Sequence, residues 1–190
     1  MPKTIRSIAR TAVIAALYAL LTMLLAPISY GEIQFRVSEA LCILPLFFPE
    51  SIVGLTIGCL IANIIGNGVF DIVLGTLATL LAAIITYLVG RFIKNTAIKL
   101  FLGELSPCVF NGFIIPVVLI LSGVVEKEAY FVSAAFVFLG EAVVIGILGT
   151  PFYFAVRPLT RFLLPDRSEE SVDHNAETDG ICANAPEKEE

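Results

Sequence analysis

Long apolar runs, broken only by glycine, proline and small charged clusters, constrain the fold of this chain more than any other feature. Six segments are apolar enough to span a bilayer, at roughly 8–27, 37–49, 51–66, 70–90, 100–123 and 129–156. A spanning helix needs about 20 apolar residues, and fewer suffice when the segment is short or re-entrant. The chain is 57% hydrophobic and 15% charged, which excludes an ordinary soluble domain and a disordered chain. The sequence therefore predicts an all-α membrane protein with six transmembrane helices.

Lysine and arginine residues fall mainly on one side of these six segments. Three lie before or near the start of the first segment, three lie between the fourth and the fifth, and three follow the sixth closely, with Lys188 further along the tail; the opposite side keeps only Arg36 and Lys127. Positively charged loops favour the cytoplasmic side of a membrane. With an even number of spans, this bias predicts that both termini are cytoplasmic. We also expect the first segment to remain in the mature protein, since no small-x-small cleavage site precedes a polar domain.

The acidity of the chain is concentrated at its carboxyl end. Residues 166–190 carry nine acidic and two basic residues, whereas residues 1–165 carry ten basic and eight acidic ones, a net charge of +2. We therefore divide the chain into a transmembrane substrate-binding domain, 1–165, and an acidic, disordered cytoplasmic tail, 166–190. A chain with this charge distribution is not expected to bind nucleic acid.

Small residues recur at helical spacing in the first and third segments. In the first, Ala12 and Ala16 lie four residues apart, as do Ala15 and Ala19 on a neighbouring face. Small residues at this spacing let another helix approach closely. The pattern leaves two interpretations open for these alanines: packing inside the same bundle, or a face for a partner. The third segment carries a longer stripe, which we expect to pack inside the bundle: Gly54, Gly58, Ala62 and Gly66.

Rare polar residues within the apolar segments mark a candidate binding site. Charge inside a membrane is costly, so each such residue is a candidate functional group. With the predicted topology, four of them gather in the outer half and a fifth lies near mid-depth of the sixth segment: Arg36, Glu39, Asn63, Asp71 and Glu141. We interpret them as the lining of a substrate pocket that opens to the outside, beneath a polar first loop that carries Glu32 and Gln34.

Each of these residues also has a purely structural interpretation. Arg36 and Glu39, three residues apart, can form an interfacial ion pair. Asp71 can cap the fourth helix, and Asn63 can hydrogen-bond to a neighbouring helix. Glu141 is harder to explain structurally, because a carboxylate in mid-span needs a cation, a hydrogen-bond donor or a proton.

The sequence offers little support for catalysis or for a metal site. It contains no nucleotide-binding, nucleophile-elbow or zinc-protease motif, and its sole histidine, His174, lies in the tail. Its four cysteines show no paired spacing of the kind that metal ligands have. We therefore predict that the protein is not an enzyme and that the chain itself binds no metal and no cofactor.

The excess of acids over bases in the predicted pocket favours a donor-rich or cationic ligand. A carboxylate can accept two parallel hydrogen bonds from a guanine-like edge, and Asn or Arg can donate to the adjacent carbonyl oxygen. A second carboxylate can bind an amine cation on the ligand. Any polar solute with several donors would satisfy the same groups, so the residues alone do not select the ligand.

Several blocks of the sequence resemble a known transporter family. The blocks are the amino-terminal Arg-Thr-Ala-Val-Ile-Ala-Ala-Leu-Tyr-Ala-Leu helix, Gly31-Glu-Ile-Gln-Phe-Arg-Val-Ser-Glu-Ala-Leu41, Gly54-Leu-Thr-Ile-Gly-Cys-Leu-Ile-Ala-Asn-Ile64 and Asp71-Ile-Val-Leu-Gly-Thr-Leu-Ala-Thr-Leu80. They resemble the queuosine-precursor transporters of bacteria, which are substrate-binding S components of energy-coupling-factor (ECF) transporters. The resemblance covers about residues 5–160 and leaves out the acidic tail.

The resemblance implies a fold, a membrane and a set of partners. S components are six-helix proteins that capture a vitamin-like solute on the outer side of the bacterial plasma membrane. They dock on one coupling transmembrane subunit and two cytoplasmic ATPase subunits, which use ATP to drive release inside. Docking involves small residues of the first helix, which here implies Ala12, Ala15, Ala16 and Ala19.

The resemblance also implies a substrate class. The substrates are queuosine precursors: 7-cyano-7-deazaguanine, 7-aminomethyl-7-deazaguanine or queuine. A guanine-like edge and an aminomethyl cation both suit the acidic pocket described above. We expect Glu39 and Glu141 to be the primary binders, with Arg36, Asn63 and Asp71 in supporting roles.

Two other function classes remain open. A stand-alone secondary transporter of a small polar heterocycle, coupled to protons through Glu141 or Asp71, would more naturally show inverted repeats or broken helices. A small membrane enzyme, or a bundle that only binds partners, is the third hypothesis, although an enzyme needs a nucleophile–base pair. Copurification with ATPase subunits, uptake driven by a proton gradient, or product formation would separate the three.

Overall fold

The structure is a computed structural model that describes residues 3–29, 35–66 and 68–163, and its regular elements in these ranges are all helical. Helix α1 covers Lys3–Leu24, and a single turn, α2, follows at Ala26–Ser29. A 3₁₀ helix covers Val37–Leu46, and α3 covers Ser51–Gly66.

The second half of the chain contains two π-helical turns. The first, Asp71–Gly75, leads into α4, Thr76–Phe92, and α5 then covers Thr96–Leu121. A short 3₁₀ turn, Lys127–Ala129, precedes α6, Tyr130–Val144. The second π-helical turn, Ile145–Gly149, joins α6 to α7, Thr150–Leu163.

Local sequence explains where several helices begin and end. The side-chain oxygen of Asn95 accepts hydrogen bonds from the backbone N–H groups of Ala97 and Ile98, at 3.0 and 3.3 Å, and so caps the start of α5. Gly123 follows the end of α5 with a φ of 72°, a left-handed conformation that glycine adopts at little cost. Pro45 has no backbone N–H to donate, and the 3₁₀ helix ends at the next residue.

Four stretches of the described chain are long and apolar enough to cross a membrane: Thr4–Leu24, Asp71–Phe92, Thr96–Leu121 and Lys127–Thr160. The 3₁₀ helix and α3 are apolar but shorter, with 10 and 16 residues. At their standard rises they extend about 20 and 24 Å, against a hydrocarbon core of about 30 Å. The all-helical class is therefore confirmed for the described residues, and helices lie at all six predicted positions. That all six cross the membrane stays a prediction.

The 3₁₀ helix lies at the centre of the first compact unit of the chain, Met1–Phe154. It packs against α1, α3, α4, α5, α6 and the Ile145–Gly149 turn, and its residues 38–45 are all buried. Around it, α1 packs on α3, α3 on α4, α4 on α5 and α5 on α6. A segment too short to span a membrane by itself is thus enclosed by its neighbours.

Helices α1 and α3 approach each other closely at two glycines. A Cβ atom on Gly58 would lie 2.7 Å from the carbonyl oxygen of Ala15 and from Cβ of Tyr18, and one on Gly54 would lie 2.9 Å from the carbonyl oxygen of Thr11. No larger residue fits at these distances without moving a helix. The prediction that the glycine stripe of the third segment packs inside the bundle is confirmed at these two positions.

The second compact unit, Ala155–Glu190, is described only through the last turns of α7. There the hydroxyl of Thr160 donates a hydrogen bond to the carbonyl oxygen of Arg157, at 2.7 Å. The predicted boundary between residues 165 and 166 lies outside the described residues, as does the predicted acidic tail.

Candidate functional site

Four charged side chains are buried around the 3₁₀ helix. In the part of the chain that the structure describes, these are the buried charged residues: Arg36, Glu39, Asp71 and Glu141. Their solvent-exposed fractions are 2%, 0%, 7% and 2%. Arg36 and Glu39 each interact electrostatically with Glu141, and Arg36 also interacts with Asp71. Asn63, the fifth residue that the sequence suggested, is fully buried as well.

Arg36 forms an ion pair with Asp71 across two elements. Its Nη2 atom lies 3.2 Å from Oδ1 of Asp71, and both side chains are nearly inaccessible. Arg36 stands just before the 3₁₀ helix, and its backbone is extended (φ −87°, ψ 96°). Helical spacing therefore does not place its side chain on the same face as that of Glu39. The spacing of three allowed an ion pair between Arg36 and Glu39. The ion pair that the structure shows for Arg36 is with Asp71, and Arg36 interacts with Glu39 only through a longer-range electrostatic attraction.

Asn63 and Gly75 fix the position of Asp71. The side-chain amide of Asn63 donates a hydrogen bond to the backbone carbonyl of Asp71, at 2.9 Å. A Cβ atom on Gly75 would lie 3.0 Å from Oδ1 of Asp71 and 3.2 Å from Nδ2 of Asn63, so this glycine leaves room for both side chains. Helical backbone already begins at Val69, so Asp71 does not have the capping role that was its structural alternative.

Glu39 is held by donors from two elements. Its Oε1 accepts a short hydrogen bond from the hydroxyl of Tyr18 on α1. Its Oε2 accepts one from the thiol of Cys42, at 2.8 Å. Because a 3₁₀ helix has three residues per turn, Glu39 and Cys42 lie directly above one another. Both carboxylate oxygens of Glu39 therefore have donors within the chain.

Glu141 is held at one oxygen only. The side-chain amide of Asn111 on α5 donates a hydrogen bond to its Oε1, at 3.0 Å. Its Oε2 is buried and has no hydrogen-bond partner among the residues that the structure describes. A buried polar atom without a partner is uncommon in folded proteins and calls for a specific explanation.

The structure thus brings the five predicted binding residues into one buried region and adds Tyr18 and Cys42, which the sequence analysis did not select for the site. Tyr18, Cys42 and Asn111 complete the hydrogen bonds of the two glutamates. Tyr18 could have been found from its chemistry, since a tyrosine inside a span needs a partner for its hydroxyl. Glu32 and Gln34 of the first loop lie outside the described residues. Substrate binding by the five residues stays a prediction.

The four alanines proposed for partner docking lie on two different faces of α1. Ala15 and Ala19 are buried, with 6% and 8% exposure, and Ala15 contacts α3 at Gly58. Ala12 and Ala16 are exposed. A groove of about 690 Å³ lies between α1 and the start of α3, and Ala12, Ala15, Pro49 and Val53 are among its lining residues. A docking role for these alanines stays a prediction, and Ala12 and Ala16 are the two that a partner could reach.

A smaller cavity of about 340 Å³ lies between α5 and α6. It is lined mainly by apolar side chains, with one carboxylate, that of Glu104. Glu104 is half-buried and accepts a hydrogen bond from the hydroxyl of Thr150, at 2.6 Å. Among the described residues, no group of three or more His, Cys, Asp or Glu side chains is arranged to hold a metal ion.

Comparison with known proteins gives a family for this chain. Residues 8–158 match the model of the family described as QueT transporter. A protein of Lactococcus lactis subsp. cremoris (strain MG1363) with the name Queuosine precursor transporter QueT is 48% identical over 71 residues. That alignment covers 36% of this chain and 42% of the relative, and no solved structure matches the chain. The family match includes every residue predicted to bind a substrate or a partner.

Proposed function

The chain belongs to the QueT transporter family, and on that premise we propose that it is the substrate-capturing S component of an ECF-type importer for a queuosine precursor. Family membership and four apolar helices of spanning length make the chain a multi-pass membrane transporter. The relative from L. lactis is named for transport of a queuosine precursor. The proposal brings that substrate class to this chain and adds the S-component role.

The buried acidic centre around the 3₁₀ helix is the observation that carries the substrate proposal. A 7-deazaguanine offers two donors on one edge of its ring, and its aminomethyl form adds a cation. Asp71 is neutralised by Arg36, so Glu39 and Glu141 are the buried acids that remain to meet such donors. Charge-assisted hydrogen bonds of this kind are about twice as strong as neutral ones, which suits tight capture without ATP.

Equilibrium binding to the purified protein in detergent tests this proposal. We expect tight binding of at least one 7-deazaguanine, with guanine and riboflavin as control ligands that bind far more weakly. Binding should need no ATP and no partner subunit. Failure of a well-folded sample to bind any 7-deazaguanine would reject the substrate assignment. The broader S-component role would then need another heterocycle that binds.

We further propose that the chain works with one coupling transmembrane subunit and two ATPase subunits in the bacterial plasma membrane, with both termini in the cytoplasm. The partners would hydrolyse ATP, and this chain would not act as an enzyme. The groove beside Ala12 and the exposed Ala16 support a docking face on α1, because small residues let a partner helix approach closely.

Substitution of an exposed alanine tests the docking face. Ala12→Leu or Ala16→Leu should abolish uptake into cells or reconstituted vesicles while leaving ligand binding by the isolated chain unchanged. Ala135→Leu, a change at an exposed alanine of α6, is the matched control and should leave both unchanged. A loss of binding together with uptake would place Ala12 or Ala16 in the fold rather than in a docking face.

A stand-alone proton-coupled transporter is the second candidate function. It is favoured by the proximity of two buried carboxylates, Glu39 and Glu141, since such groups carry protons in many transporters. Vesicles that contain only this chain and an imposed proton gradient would separate the two candidates. Uptake in those vesicles would support the second candidate, and uptake only with added ATPase subunits and ATP would support the first.

A further inference from the structure

The two buried glutamates differ in how completely the chain satisfies them. Both oxygens of Glu39 accept hydrogen bonds, from Tyr18 and from Cys42. Within the described part of the chain, Glu141 accepts one hydrogen bond, from Asn111, and its Oε2 accepts none. The carboxylate is 2% exposed, so bulk water does not supply the missing donor.

Among the described residues, Arg36 is the buried cation that interacts electrostatically with Glu141, but the two side chains form no ion pair. Arg36, the buried base among the described residues, forms its ion pair with Asp71. When all four buried groups are ionised, one base faces three acids, which leaves an excess of two negative charges. A buried carboxylate without a cation is costly, because burial removes water that would otherwise solvate it. A ligand that brings a positive charge would remove that cost.

We propose that Glu141 binds the positively charged group of the ligand and thereby makes the protein select an ammonium-bearing ligand over a neutral one with the same ring. The inference rests on the proposed function and adds to it a role for one carboxylate. Asn111 acts as a positioning residue, because its amide holds Oε1 and leaves Oε2 for the ammonium group. Both oxygens of Glu39 already accept hydrogen bonds, so Glu39 either contacts the ring of the ligand or stabilises the fold.

Two ligands with one ring system test this selectivity. 7-Aminomethyl-7-deazaguanine carries an ammonium group at neutral pH, and 7-cyano-7-deazaguanine carries a neutral nitrile at the same position. We expect the wild-type protein to bind the aminomethyl compound at least about ten-fold more tightly. Glu141→Gln should weaken binding of the aminomethyl compound about 30-fold or more, the usual effect of removing one partner from a buried charge pair. Binding of the cyano compound should change less than about three-fold, because no ammonium group is involved.

Glu104→Gln is the matched control. It makes the same chemical change on α5, at a half-buried carboxylate that accepts a hydrogen bond from Thr150 and lines the apolar cavity between α5 and α6. It should leave the affinities for both compounds unchanged.

The outcomes separate failure of the inference from failure of the proposed function. If the wild-type protein bound neither compound, the proposed function would fail and the inference with it. If it bound both but without a preference, or if Glu141→Gln weakened both equally, the inference alone would be overturned. If Glu141→Gln did not fold, Asn111→Ala would replace it. That variant keeps the carboxylate of Glu141 but removes the amide that holds it in position. If its preference for the aminomethyl compound over the cyano compound equalled that of the wild type, the inference would be overturned.

Discussion

The ion pair at the start of α4 and the glutamate on α6 are both buried in the same bundle, but Asp71 has a cation from within the chain, whereas Glu141 forms no ion pair with any described residue. Arg36 neutralises Asp71, and Asn63 and Gly75 hold Asp71 in place. Glu141 has a single amide donor, and its other oxygen has no partner in the described ranges. Buried polar groups in proteins are normally satisfied. On the proposal made above, the ion pair serves the stability of the fold, and Glu141 keeps one oxygen for the ligand.

The largest expected effect on stability comes from breaking the ion pair. Arg36→Met would leave Asp71 buried without its cation, and we expect the free energy of unfolding to fall by about 3–5 kcal/mol. Thermal or denaturant unfolding in one detergent measures this. The double variant Arg36→Met with Asp71→Asn, which removes both charges, should recover most of the loss. A single variant as stable as the wild type would show that the pair is not structural.

A smaller effect is expected from the glycine beneath that pair. Gly75→Ala would place a Cβ atom 3.0 Å from Asp71 and 3.2 Å from Asn63, which forces both side chains to move. Overpacking of this kind costs about 1–3 kcal/mol, and the better helix propensity of alanine returns part of it, so we expect a net loss of about 1 kcal/mol.

Gly146 provides the matched control for Gly75. It also lies in a π-helical turn, but nothing is within 4 Å of its added Cβ atom. Gly146→Ala should therefore leave stability unchanged or raise it slightly. Equal losses from the two substitutions would mean that the backbone of the turns, rather than the Asp71 site, requires glycine.

The smallest effect on stability is expected at Glu141. Glu141→Gln removes a buried carboxylate that lacks a full set of donors, so we expect unfolding to change by less than about 0.5 kcal/mol, or stability to rise. The same unfolding assay measures it beside Arg36→Met. A loss as large as that of Arg36→Met would remove the contrast between the two groups and assign Glu141 to the fold.

Hydropathy and spacing predicted much of the fold because apolar length and small-residue stripes are local properties of the sequence. The six apolar segments coincide with six helices, and Gly54 and Gly58 pack against α1 as expected. The form of the second segment was not predicted. Residues 37–46 form a short 3₁₀ helix that the other helices enclose, and this depends on tertiary packing that no single segment encodes.

The candidate site was predicted in its members but not in its pairing. Charged residues in apolar segments are rare enough to identify Arg36, Asp71 and Glu141 from sequence alone. Helical spacing suggested Glu39 as the partner of Arg36, but the backbone at Arg36 is extended and its ion pair is formed with Asp71, 35 residues away. Partners at such separations follow from the way helices pack, and the same applies to Tyr18 and Asn111.

Helix α1 has a buried side that contacts the candidate site and an exposed side that the proposed partner would use. The exposed side presents Ala12 and Ala16, while the buried side places Tyr18 against Gly58 and its hydroxyl on Glu39. A helix is stiff along its axis, so a tilt imposed at the exposed side also displaces the tyrosine hydroxyl. A partner that favours one tilt would change ligand affinity, and ligand would change partner affinity by the same factor. If a partner docks at Ala12 and Ala16 as proposed, the short path through α1 would couple ligand binding to partner docking.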